Sequence, residues 1–177
     1  MAKGAPAKLK GVKVKLKTPL IDLEGAWEAD ENEQRAAWEL YVELITRIAV
    51  EELKPEEGLL REALSSLYSI FLETREILKT YGPAVARPKG KGNFSLGFLA
   101  VSVLNSVLRP FLAYWHPRLL DYEHSRRGDI SVFEHECAWD RNKELRASLE
   151  KIQDTLLQYS LLLAEVAGVP PIVTKRV

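Results

Sequence analysis

Between His116 and Cys137 the chain gathers His116, Glu123, His124, Glu134, His135 and Cys137, each able to ligate a metal or move a proton. Zinc chemistry needs such donors on one face, as in H-E-x-x-H, where two histidines stand one turn apart. No such spacing occurs here. On a helix that advances about 100° per residue, His135 and Cys137 point about 200° apart. A metal or small-ligand site would need the intervening turn to fold His116 or His124 over His135. Cys137 lacks a converging base, which a thiol nucleophile requires, so a partly buried structural cysteine is expected. Asp121 with Glu123, and Glu134 with Glu136, sit two residues apart, so neither pair converges for general acid–base work. No G-x-S-x-G elbow or P-loop is present. These residues assign no catalytic group, no metal and no cofactor, and they lean away from an enzyme. A ligand-binding protein or enzyme built on the His116–Cys137 region is the alternative.

Anion chemistry has two candidate locations. Residues 1–20 hold six lysines, Lys13, Lys15 and Lys17 among them, and no acid. The stretch GPAVARPKGKG carries Arg87, Lys89 and Lys91 just before a helix N-terminus, where phosphate oxygens are favoured. Together they suggest a nucleic-acid contact. Against it, all 25 acidic residues lie after residue 20, and no groove-reading motif appears. Within the arm, Val12, Val14 and Leu16 alternate with lysines at the period of a half-buried strand. A lone strand is unstable, so the segment is expected as a disordered basic tail or as a strand added to another chain.

A third group is Arg75 and Arg109, each beside apolar surface. An isolated charge so placed is costly unless paired. With Arg61, they are expected to lock helices together through Glu123, Glu73 or Glu76. The alternative role of Arg75, Arg109 and Glu123 is a clamp for a ligand carboxylate or phosphate.

Four helical segments must position these groups. The first, about 30–53, opens on an Asp30/Glu33 capping pair, with Trp38, Val42, Ile45, Ala49 and Leu53 on its inner face. The second, about 55–81, starts near Pro55 and buries Leu60, Leu64, Leu67, Phe71, Thr74 and Leu78 before Gly82-Pro83. The third, about 93–125, is apolar on nearly all sides, which marks a central buried helix; kinks are expected at Pro110 and Pro117. Its charge-free core, 92–108, falls short of the roughly 20 apolar residues of a membrane span. The fourth, about 131–167, begins at a Ser131/Glu134 capping box and runs a leucine seam to Gly168. The fold expected is an all-α bundle (30–168) with a basic arm or linker (1–29) and a short tail (169–177).

A chain of 177 residues with 46% apolar and 28% charged content fits one core-forming domain. A single cysteine rules out an intrachain disulfide and suits a reducing compartment. No apolar leader of the secretory kind follows the first lysines, so a cytoplasmic location is expected. With an apolar third helix and no converging catalytic set, the expected function is a non-enzymatic interaction or regulatory module. It would act as a subunit, adaptor or homo-oligomer, with Trp115, His116, Arg118, Tyr122 and Trp139 forming the contact surface.

Overall fold

The computed structural model describes residues 11–47, 57–89 and 93–172. It is mostly helical, with one two-stranded sheet. Strands β1 (Val12–Thr18) and β2 (Ile21–Trp27) form an antiparallel hairpin, pairing Val12 with Trp27 and Thr18 with Ile21. The Thr18 hydroxyl accepts the backbone N–H groups of Leu20 and Ile21, which closes the two-residue turn. The described part of the arm is therefore neither a free tail nor a strand awaiting another chain. Its partner is β2, where Ile21, Leu23 and Trp27 alternate with Asp22 and Glu24. Val12, Val14, Leu16, Ile21 and Trp27 are buried in the same core as the helices. Gly25 makes room for this docking: a Cβ there would lie 2.2 Å from the Phe94 ring.

Helix α1 (Glu31–Ile45) carries the expected Asp30/Glu33 capping box. It buries Ala36, Ala37, Leu40, Tyr41 and Leu44, leaving Trp38 40% exposed. The buried face is thus turned away from the expected stripe, of which Ile45 still packs partly buried against the core. Residues 48–56, including Ala49, Leu53 and Pro55, lie outside the described residues. Helix α2 (Leu60–Tyr81) starts at Leu60, after Gly58 in the left-handed region (φ 65°), and stops at Gly82 (φ 63°).

The third expected helix is α3 (Leu96–Val103), a π-helical turn (Leu104–Leu108) and α4 (Arg109–His124). Pro110 has no N–H to continue the α ladder, and the widened turn lies directly before it. At Pro117 the helix continues without a break. The fourth is divided into α5 (Val132–Cys137) and α6 (Asn142–Ala167). Between them Trp139 turns into the core, and Asn142 Nδ2 donates to the Glu136 carbonyl, closing the end of α5. α6 buries Leu145, Leu149, Ile152, Leu156 and Leu163, and packs on α1 and β1. Its left-handed cap is Gly168, as the sequence indicates.

Two buried glutamates tie these elements together. Glu33 is fully buried and accepts the Leu96 N–H at 3.0 Å, completing the start of α3. Glu136 accepts the Leu60 and Arg61 N–H groups at 2.7 and 3.3 Å, capping α2, whose own Leu59 has no capping side chain. Both positions exploit the orphan donors and positive end of a helix N-terminus.

Candidate functional site

Helices α2 and α4 run antiparallel: Arg61 meets the Glu123 end of α4, and Phe71 meets the Arg109 end. At the first end Arg61 donates from Nε and Nη2 to the two Glu123 carboxylate oxygens, both at 2.8 Å. Its Nη1 lies 2.9 Å from His116 Nδ1. A guanidinium only donates, so Nδ1 must accept and the neutral ring carries its proton on Nε2. Burial, and then the neighbouring Arg61 cation, push the His116 pKa below its ordinary value, while Glu123 opposes them. Tyr68 meets the His116 ring edge-on, with centroids 6.0 Å apart. Glu123 is therefore locked to Arg61, and Arg75 and Arg109 stand apart from that lock.

Beyond the lock, the two helices frame an open groove of about 580 Å³. Its floor and walls are Phe71, Leu112, Ala113 and Pro117, with Tyr68 and Leu72 standing 54% and 47% exposed on the α2 lip. Arg75 and Arg109 line it together, both exposed. Arg109 lies 5.6 Å over the Phe71 ring and donates to Asn105 Oδ1. Among the described residues no carboxylate lies within ion-pair distance of either arginine. Of the nearest acids in sequence, Glu76 is paired with Lys79 at 2.6 Å while also feeling the Arg75 charge, and Glu73 lies 4.0 Å from Arg47.

The aromatic residues expected at the surface form an inner stack instead. Trp115 and Trp139 are 3% and 7% exposed and meet edge-on at 6.1 Å. Tyr122 stacks on Trp139 and on His135, and its hydroxyl donates to the His135 carbonyl at 2.7 Å. Neither tryptophan can anchor a partner without opening the core; both hold α4 against the α5–α6 junction. Arg118 is exposed, lying 3.7 Å over the Tyr114 ring. Of the five expected surface residues, only His116 lines the groove.

The basic candidates are dispersed. Lys13, Lys15 and Lys17 share the outer face of the hairpin, with Glu24 opposite Lys15 and Asp22 opposite Lys17. Lys89 is engaged by Asp30 at 2.6 Å and Glu33 at 2.8 Å, so its charge is already compensated. Arg87 is exposed, and Lys91 lies outside the described residues. Cys137, expected to be partly buried, is exposed. His116 faces Arg61, while the His135 ring nitrogen contacts the Tyr122 carbonyl at 2.9 Å. Among the described residues no three His, Cys, Asp or Glu side chains are grouped to hold a metal ion. The helical run Leu96–His124 is long and apolar enough to cross a membrane, yet half of its most apolar window is buried inside the protein.

The molecule is thus a mostly helical protein with a β-hairpin built into its core and an arginine-bearing apolar groove between α2 and α4. Comparison with protein-family models, curated proteins and solved structures finds no match to this chain.

Proposed function

We propose that this helical bundle is a non-enzymatic interaction module whose contact surface is the α2–α4 groove. The observation that carries the reading is the pair Tyr68 and Leu72, large side chains left half-exposed on the lip of an apolar-floored groove. Scattered apolar residues on a surface need no explanation, but a contiguous rimmed patch marks a contact site. Ala113, Pro117 and Leu120 recur at helical spacing on the α4 side, all exposed, and extend the patch along the helix. Enzyme chemistry has less support, because the titratable groups of the region serve structure: Glu123 and His116 hold Arg61, and Glu136 caps α2.

The test is photo-crosslinking in the native cells, with a photoreactive amino acid at Leu72 and, as control, at exposed Lys143 on α6. A discrete protein adduct formed at position 72 and not at 143 supports the reading. Adducts that are missing at 72, or identical at both positions, overturn it.

A further inference from the structure

The chemistry of the groove walls narrows what the groove can receive. We propose that the α2–α4 groove seats an amphipathic helix of a partner protein, whose acidic side chains pair with Arg75 and Arg109. The inference rests on the interaction-module reading and deepens it.

Length is the first argument. Tyr68 to Arg75 spans two turns of α2, about 10 Å, and the α4 wall from Arg109 to His116 runs alongside it. A helix laid in such a groove offers apolar anchors at i, i+4 and i+7 over the same two turns. A small molecule fits less well. Binding sites for small ligands usually bury about 70–90% of the ligand surface, whereas this groove is open and its lips, Tyr68 and Leu72, stand half in solvent. An occupant must reach over the lips as well as the floor to cover them.

Charge is the second argument. Arg75 and Arg109 bring two permanent cations to one end of the groove, and among the described residues no carboxylate forms an ion pair with either; Glu76, paired with Lys79, reaches Arg75 only through its charge. Arginine is the residue suited to bidentate carboxylate recognition. A carboxylate arriving there would be partly desolvated by Phe71 and Leu112, which strengthens the pairing. The same charges argue against a second copy of this chain seated face to face. Among the described residues the groove lining carries no acid, so a second copy seated face to face would offer Arg75 and Arg109 no carboxylate from its own groove.

The experiment selects binders from a library of stapled 14-residue helices, with leucines fixed on one face and the remaining positions random, against the full chain. The expected result is enrichment of Asp or Glu at one end of the leucine stripe. The enriched peptides should lose at least tenfold in affinity for Arg75→Glu/Arg109→Glu and for Leu72→Asp. Their acid-to-lysine counterparts should bind the double arginine variant better than the parent. All substituted positions are exposed, so helical circular dichroism and melting should be unchanged, and this is checked first. The inference is overturned if enriched helices carry no acidic bias, or if they bind the charge-reversed variant as well as the parent. It is also overturned if light scattering shows a dimer that Leu72→Asp dissociates, because a second copy then fills the groove. Crosslinks at Leu72 without acidic bias in the library would remove the charge assignment and leave the module reading standing. Failure of the crosslinks would remove the module reading itself.

Discussion

The Glu136 carboxylate accepts the Leu60 backbone N–H at 2.7 Å across 76 residues of sequence, so the start of α2 is completed by a side chain from α5. Burial raises the Glu136 pKa from its ordinary 4.5, and the Leu60 and Arg61 N–H groups only partly offset this. The native state therefore holds this proton more tightly than the unfolded chain. Glu136 contributes most to stability below pH 4.5, and that contribution declines as pH rises through the folded value. Glu136→Gln keeps an acceptor and removes the buried charge. Its stability relative to the parent should increase from pH 4.5 to pH 7, measured by urea unfolding. Glu136→Ala leaves two buried donors unsatisfied and should cost about 1–3 kcal/mol at pH 7.

The Arg61–Glu123–His116 lock predicts the opposite pH behaviour. His116 is held neutral, so the unfolded state takes up a proton first as pH falls below 6.5. Stability from this residue is present above that pH and is lost on acidification toward the folded value. Parent melting temperatures should fall more between pH 7.5 and 5.5 than those of His116→Gln. Glu123→Gln removes the one group that favours the charged ring, so an NMR titration should find the His116 pKa lower still.

The hairpin prediction is steric. Gly25→Ala places a methyl group where the Phe94 ring lies, and overpacking of this kind costs about 1–3 kcal/mol. Phe94→Leu should relieve most of that penalty in the double variant, giving a non-additive cycle by denaturant unfolding.

Leu16→Ala tests whether β1 belongs to the core. Leu16 is fully buried, so its truncation should cost about 2–5 kcal/mol. Replacing Lys15, on the opposite face of the same strand, with Ala should move stability by no more than about 0.5 kcal/mol. Equal effects would mean the hairpin does not dock as described.

Local signals were legible in the sequence and longer-range ones were not. Capping boxes at Asp30 and Ser131 are written in four-residue patterns, and both form. The leucine seam from Leu145 to Leu163 likewise follows from spacing alone. The second strand was hidden because Gly25 interrupts its alternation, for a reason that lies in Phe94, 69 residues away. The break at 138–141 depends on Trp139 finding Trp115 and Tyr122, which no pattern within the helix encodes. The sequence suggests an interhelical lock for Arg61, but its choice of Glu123, which leaves Arg75 and Arg109 at the groove, depends on the antiparallel pairing of α2 and α4. Leu72 fell just outside the Leu64–Phe71–Leu78 stripe, and that offset was its one signal as a lip residue.

The docking of the hairpin on α6 also governs when the chain can finish folding. The Thr155 hydroxyl donates to the Thr18 hydroxyl across 137 residues. As the polypeptide leaves the ribosome, β1 and β2 emerge well before α6, the helix that packs on β1. A two-stranded hairpin is marginal by itself, so its apolar side stays open to chaperones or to stray association until α6 is made. A nascent chain stalled before Asn142 would leave that side exposed, whereas synthesis through Ala167 would supply the helix that covers it.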